Sequence, residues 1–210
     1  ELEKIEGLSR IRLSSIEPYY VNEKLIDTIS LSKKVCKHLH IPLQSGDSRI
    51  LKLMNRRYTA LQYVKLINRI RAKMPDIAIA TDVIVGFPGE AQKEFNNTLN
   101  TLNTVKPMRV HVFSFNKRPG TKAFTMLQVE PDKKEKSRRA DIVRSLVGEF
   151  ASSYAKRFKG KTARVLVESN RDKKTGLLTG YTDNYIKIFF DGPDSLINEI
   201  TNVKVEKYGD

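Results

Sequence analysis

Two polar clusters, each at the end of an apolar run, hold the residues best suited to chemistry. The first is His38-Leu39-His40-Ile41-Pro42-Leu43-Gln44-Ser45-Gly46, where a β-rich stretch closes on two polar side chains and a glycine that frees the backbone to turn. Gln44 offers both a donor and an acceptor to a hydroxylated ligand such as a ribose. Arg56, in the following Met54-Asn55-Arg56-Arg57-Tyr58-Thr59, offers a planar fork for a carboxylate. A structural reading competes: Gln44 and Ser45 cap the next helix and Arg56 is solvated. The second cluster is Thr81-Asp82-Val83-Ile84-Val85-Gly86-Phe87-Pro88-Gly89-Glu90. Asp82 is a carboxylate inside an apolar strand, which is costly unless it is paired or opens on a cleft. Gly86 and Gly89 permit close backbone approach to a ligand, and the alternative is an aspartate that merely holds a turn. Glu90 suits the start of the next helix better than it suits chemistry.

The remaining reactive side chains read more plainly. The single Cys36 cannot form an intrachain disulfide or hold a metal cluster, and it reads as a small buried hydrophobe. His38, His40 and His111 fall on strands with no matching carboxylate motif, so no metal set is expected and His40 reads as a hydrogen-bonded strand residue. No residue of the chain is assigned a bond-breaking role.

The elements that must position these groups alternate. Candidate strands Arg10–Ser14, His38–Leu43, Ile77–Val85 and Arg109–Phe115 alternate with helical stretches Asn22–Lys34, Ser48–Met54, Leu61–Lys73 and Gln92–Thr104. This is the rhythm of a parallel α/β sheet with right-handed crossovers. Each strand runs into a turn-forming cluster, so the clusters are expected to converge outside the carboxyl ends of the strands. Four such units are too few for a closed eight-stranded barrel, which makes the sheet open or cut off at its N-terminus. A charged helical stretch follows from Pro131 to about Arg157. Short β-rich runs then succeed one another, Ala163–Glu168, Leu177–Tyr181, Tyr185–Phe190 and Glu199–Lys207, as in a small antiparallel barrel. The expected division is residues 1–130, a connecting helix over 131–158 and a β-barrel over 159–210.

Composition narrows the partners. With 210 residues, 40% of them hydrophobic, the chain can bury one core plus a small appended domain. No apolar run approaches the roughly 20 residues that span a bilayer, and the charged start does not read as a secretory signal, so a cytoplasmic location without membrane contact is expected. The net charge of +14 attracts polyanions, with nucleic acid first among them. In the terminal β segment, Arg164, Arg171, Lys173 and Lys174 are the candidate phosphate contacts. Tyr181 and Tyr185, on either side of Thr182-Asp183-Asn184, are candidates for base stacking, with barrel packing as the alternative for at least one of them.

Taken together and in order, these segments resemble the radical S-adenosylmethionine methylthiotransferase family. The resemblance rests on His-Ile-Pro-Leu-Gln-Ser-Gly, Met-Asn-Arg-Arg-Tyr-Thr, Thr-Asp-Val-Ile-Val-Gly-Phe-Pro-Gly-Glu, Val112-Phe113-Ser114-Phe115 and Arg118-Pro119-Gly120-Thr121, and it covers nearly the whole chain. Arg12-Leu13-Ser14-Ser15-Ile16-Glu17-Pro18 is most similar to the branch that methylthiolates threonylcarbamoyladenosine in tRNA. Branches acting on isopentenyladenosine or on a ribosomal protein are close relatives. The resemblance implies the later strands of a partial (β/α) radical-SAM barrel followed by a TRAM domain, a small RNA-binding barrel. It implies S-adenosylmethionine across the strand ends, with Gln44, Ser45 and Asp82 near its ribose and methionine parts, Arg56 at the methionine carboxylate and Phe113 as a wall for the adenine. Alternate strand positions such as Phe113 are more often core. The implied partners are the anticodon region of tRNA, a sulfur donor and an electron donor protein. The family also carries two [4Fe-4S] clusters, whose cysteine ligands this chain lacks. It is therefore expected to be the C-terminal part of the enzyme and inactive alone. A pure RNA-binding module and a non-radical (β/α) enzyme are the competing classes; the strand-end series around Gln44 and Asp82 argues against the first, and the absence of a phosphate loop or metal set against the second.

Overall fold

A computed structural model describes residues 1–126 and 128–208. Its first sheet has three parallel strands, β1 (His38–His40), β2 (Ala78–Val85) and β3 (Arg109–Ser114), in the order β1-β2-β3. The crossovers are α1 (Glu23–Leu31), α2 (Ser48–Leu53), α3 (Ala60–Lys73) and α4 (Gln92–Val105), and α5 (Lys133–Lys156) follows β3. Local chemistry starts each helix. Asn22 accepts from the Leu25 N–H, Asp47 from Arg49 and Ile50, and Asp132 from Glu135, while Thr59 and Gln62 form a capping box. Along α3, Tyr63, Leu66, Ile67 and Ile70 repeat at helical spacing and are buried against the sheet.

One face of the sheet is covered and the other is open. Val83 and Val85 of β2 are fully buried in a core that includes Ile67, Ile70, Phe95 and Leu102, and Ala140, Val143 and Val147 of α5 join it. Asp82 and Ile84, on the alternate positions, are only partly buried.

The second sheet is antiparallel: β4 (Thr162–Val167), β5 (Leu178–Thr182), β6 (Lys187–Phe190), β7 (Ile200–Lys204) and β8 (Lys207–Tyr208), in the order β7-β4-β5-β6-β8. Successive strands β7 and β8 lie at opposite edges, so the chain at Val205 and Glu206 crosses from one edge to the other and rolls the sheet into a barrel. Its core of Val165, Ile186, Ile188, Val203 and Val205 also takes in Ala78 and Met108, at the N-terminal ends of β2 and β3, and Tyr154 and Ala155 in the last turns of α5. The barrel thus docks beneath the parallel sheet. Tyr154 ties the joint, donating to the Asp76 carbonyl at 2.6 Å and accepting from the Asn184 amide at 3.0 Å.

Three expected strands differ. Arg10–Ser14 is no strand: only Ile11 bridges to Val35, because Arg10 and Arg12 turn toward Asp183 and Tyr185 of the barrel. The expected run His38–Leu43 stops at His40, since the Leu43 N–H turns to the Thr81 hydroxyl at 2.8 Å, and pairing resumes one residue out of register as a single bridge between Gln44 and Val83. Glu199–Lys207 divides into β7 and β8 because one straight strand cannot reach both edges of the barrel.

Candidate functional site

The register of the parallel sheet fixes what its open face presents. Asp82 pairs with His111 and Ile84 with Phe113 across β2 and β3, while His40 pairs with Ala80 across β1 and β2. Side chains at these positions share one face. At mid-height, His40 Nε2 and Asp82 Oδ1 are 2.9 Å apart, and His40 Nδ1 meets the Ser15 hydroxyl at 3.0 Å. His111 completes the group: one ligand-capable atom from each of His40, Asp82 and His111 lies within 4.8 Å of the others. The expectation that the histidines have no carboxylate partner is thereby corrected. Asp82 lies 42 residues from His40 in sequence, and only strand pairing makes them neighbours. Asp82 is accordingly neither a buried lone charge nor a turn-holder. Toward the carboxyl ends, Phe113 is 54% exposed, not core, because no layer of the described residues packs on that side of β3.

The loop after β1 holds the remaining cofactor candidates, and it separates them. Gln44 is buried with φ of 64°, a left-handed conformation unfavourable for a non-glycine residue, and its side-chain amide makes no hydrogen bond to a described residue. Ser45 is fully buried; its hydroxyl accepts from the Asp47 N–H at 3.2 Å and lies 3.4 Å from the Thr98 hydroxyl, so it holds the turn and has no access to a ligand. Gly46 is required by packing more than by turning: a Cβ there would fall 2.5 Å from Thr98 Cα of α4. Arg56 is partly exposed but engaged, since its guanidinium is paired with Glu17 at 2.7 Å.

The loop after β2 is anchored from below. Glu90 is 3% exposed, pairs with the buried Arg139 of α5 at 2.9 Å and accepts from the Gly86 N–H at 3.1 Å. Burial raises its carboxyl above the usual range, opposed by Arg139 and by the Gly86 and Phe87 amides. Helix α4 takes its N-terminal partner from Glu94, which accepts from the Ala91 N–H, so the expected role of Glu90 passes to Glu94. The sequence carries no local sign of the Glu90–Arg139 pair.

Beneath the imidazoles the open face meets the barrel. Tyr185 stacks on Tyr181 with centroids 4.7 Å apart, lies 4.9 Å from the His38 ring and sits under the Arg12 guanidinium at 3.6 Å. The Arg12 guanidinium also donates to the Tyr185 hydroxyl. These tyrosines therefore serve the joint between sheet and barrel and do not present two free faces to bases. His38 is held down to about 4 by burial, with Arg12, His40 and Arg109 adding to it. Burial likewise pushes the Cys36 thiol up. Of the four basic candidates, Lys173 and Lys174 are exposed, as is Arg164, which reaches the Ser9 carbonyl at 3.5 Å. Arg171 is committed: it binds Asp194, the Gly176 carbonyl and the Gly192 carbonyl at 2.7–3.0 Å and ties two loops together.

One buried cysteine cannot ligate an iron–sulfur cluster, so the residues present do not fit that group. The open face does fit a ligand with hydroxyl and aromatic parts, given the partly exposed Asp82 carboxylate and the exposed Phe113 ring. No helix among the described residues is long and apolar enough to cross a membrane.

Comparison with known proteins agrees with this geometry. Residues 1–102 match the Radical SAM superfamily and residues 156–208 match the TRAM domain. The chain is 36% identical over 208 residues to a threonylcarbamoyladenosine tRNA methylthiotransferase of Bacillus subtilis, covering 98% of this chain and 46% of that protein. It is 39% identical over 207 residues to a tRNA-2-methylthio-N(6)-dimethylallyladenosine synthase of Thermotoga petrophila, covering 99% and 46%. The chain thus spans about half the length of these curated relatives. Among solved structures, coproporphyrinogen III oxidase of Escherichia coli, a radical SAM enzyme, shares the fold with a TM-score of 0.54 at 14% identity, over 85% of this chain and 46% of that one. A radical SAM segment thus leads into a TRAM domain, and nearly the whole length of the chain is similar to tRNA methylthiotransferases.

Proposed function

We propose that this chain is the cofactor-cradling and RNA-anchoring part of a cytoplasmic tRNA methylthiotransferase that modifies threonylcarbamoyladenosine in the anticodon region. One observation supports the reading: an open parallel-sheet face bearing Asp82, His111 and Phe113 is joined to a TRAM barrel docked beneath it. In this proposal the Gln44 amide and the free oxygen of Asp82 hold hydroxyls of S-adenosylmethionine, and the Phe113 ring covers its adenine. Arg56 exchanges Glu17 for the methionine carboxylate, and Ser45 holds the loop from behind. S-adenosylmethionine and two [4Fe-4S] clusters supply the radical chemistry when bound, with the cluster ligands, a sulfur donor and an electron donor protein provided from outside these residues. The barrel contributes phosphate contacts through Arg164, Lys173 and Lys174.

The Thermotoga relative, named for dimethylallyladenosine, supports a second reading in which that nucleoside is the substrate. The decisive experiment reconstitutes the full-length enzyme and analyses digested tRNA nucleosides by mass spectrometry. A methylthio group on threonylcarbamoyladenosine supports the first reading, and one on dimethylallyladenosine supports the second. Neither product, in the presence of reductant and cofactor, refutes both. Gln44→Ala, Asp82→Asn and Arg56→Ala should each weaken S-adenosylmethionine binding in that enzyme, and unchanged dissociation constants in all three would refute the placement.

A further inference from the structure

We propose that His40, Asp82 and His111 form a site for one divalent first-row transition-metal cation on the open face of the parallel sheet. Three adjacent strands each contribute one ligand to it. Strand register fixes the positions: Asp82 and His111 are direct partners, and His40 lies on the neighbouring strand and the same face. One ligand-capable atom from each lies within 4.8 Å of the others, and His40 Nε2 and Asp82 Oδ1 already approach to 2.9 Å. Ligands rooted in strands hold their geometry better than ligands on loops.

The surroundings match the second shell of such a site. A ligating imidazole commonly gives its other ring N–H to a nearby oxygen, which sets its tautomer and aim. Ser15 supplies that oxygen, 3.0 Å from His40 Nδ1. With the proton on Nδ1, the Nε2 lone pair is left for a cation shared with Asp82 and His111. Asp82 brings a negative charge, and its second oxygen stays available for a hydroxyl ligand. Two imidazoles and one carboxylate suit Zn²⁺, Co²⁺, Fe²⁺ or Mn²⁺, whereas Mg²⁺ and Ca²⁺ prefer all-oxygen shells. Three protein ligands leave coordination positions open on the face that also carries the exposed Phe113.

The test uses the 210-residue chain without an added histidine tag, stripped with chelator and titrated with Co²⁺ and then Zn²⁺. Visible absorption and calorimetry should report one cation per chain, with Zn²⁺ displacing Co²⁺ and Mg²⁺ failing to compete. His111→Ala should weaken binding by more than the roughly 10–100-fold lost when an outer partner is removed, and Ser15→Ala by about 10-fold with recovery in Ser15→Thr. His111 is exposed, so this variant retains its fold even where His40→Ala does not, and circular dichroism checks it. No binding at millimolar cation overturns the proposal. So does binding that His111→Ala leaves unchanged, which would place the cation elsewhere on the chain, and so does equal binding of Mg²⁺.

Discussion

Replacing Arg139 with methionine removes one half of a charge pair that is almost wholly withdrawn from water: the side chains of Arg139 and Glu90 are 5% and 2% exposed. Methionine keeps most of the apolar stem, so the loss is chiefly electrostatic. Arg139 gives up its bond to Glu90 Oε1 at 2.9 Å, a second to the Glu90 carbonyl at 2.9 Å and a third to Glu135 at 2.8 Å. Breaking a buried pair by removing one partner costs about 3–5 kcal/mol, because the remaining charge is left uncompensated. For a chain of this size that corresponds to a melting temperature lower by roughly 6–20 °C. The loss should depend on pH in a defined sense. Burial already raises the Glu90 carboxyl, and without Arg139 it rises further. A carboxyl whose folded pKa exceeds its unfolded value contributes full stability below the unfolded value and loses it as pH climbs through the folded one. The gap between wild type and Arg139→Met, read from urea melts, should therefore be small near pH 4.5 and grow toward pH 8. Adding Glu90→Gln should recover at least half of it, since a neutral amide tolerates the same site. A gap under about 1 kcal/mol at pH 8, or one that does not vary with pH, would refute the reasoning.

Three further outcomes are expected. His38 stays neutral when folded until about pH 4, whereas an unfolded histidine takes up its proton near pH 6.5, so stability falls with pH through this window. Urea melts should lose about 2 kcal/mol from this group between pH 7 and pH 5, and a ring titration by NMR near pH 6.5 would contradict the burial. Gly46→Ala brings a Cβ within 2.5 Å of Thr98 Cα and should cost about 1–3 kcal/mol in thermal melts; an unchanged melting temperature would show that α4 does not approach so closely. Lys173→Ala with Lys174→Ala should weaken binding to a tRNA anticodon stem-loop and lower the magnitude of the log–log salt slope by roughly two, as followed by fluorescence anisotropy. Arg171→Ala should instead loosen the loops it ties while changing the slope far less, and a reversed ranking would contradict the assignment of Arg171 to structure.

Much of this protein is determined by short-range sequence. Helices α1, α3 and α4 and strands β2 and β3 lie within a few residues of their expected bounds, because capping residues such as Asn22 and Thr59 and apolar periodicity act locally. The ordered motifs around Gln44 and Asp82 likewise carry the resemblance to methylthiotransferases, since the two segments are legible without knowing how they pack. What the sequence could not decide is which side chains meet. Asp82 finds His40 and His111 only through parallel register, and Glu90 finds Arg139 only because α5 lies against the sheet. Arg56 is drawn to Glu17, Tyr185 to Arg12, and Ser45 into the interior, each by an element distant in sequence. The physical reason is common to all of them: a polar group leaving water must find a partner wherever packing brings one, and packing is a property of the whole fold. Exposure follows the same rule. Phe113 sits at a position that alternation assigns to a core, and it remains open because no second layer of the described residues lies over that face of β3.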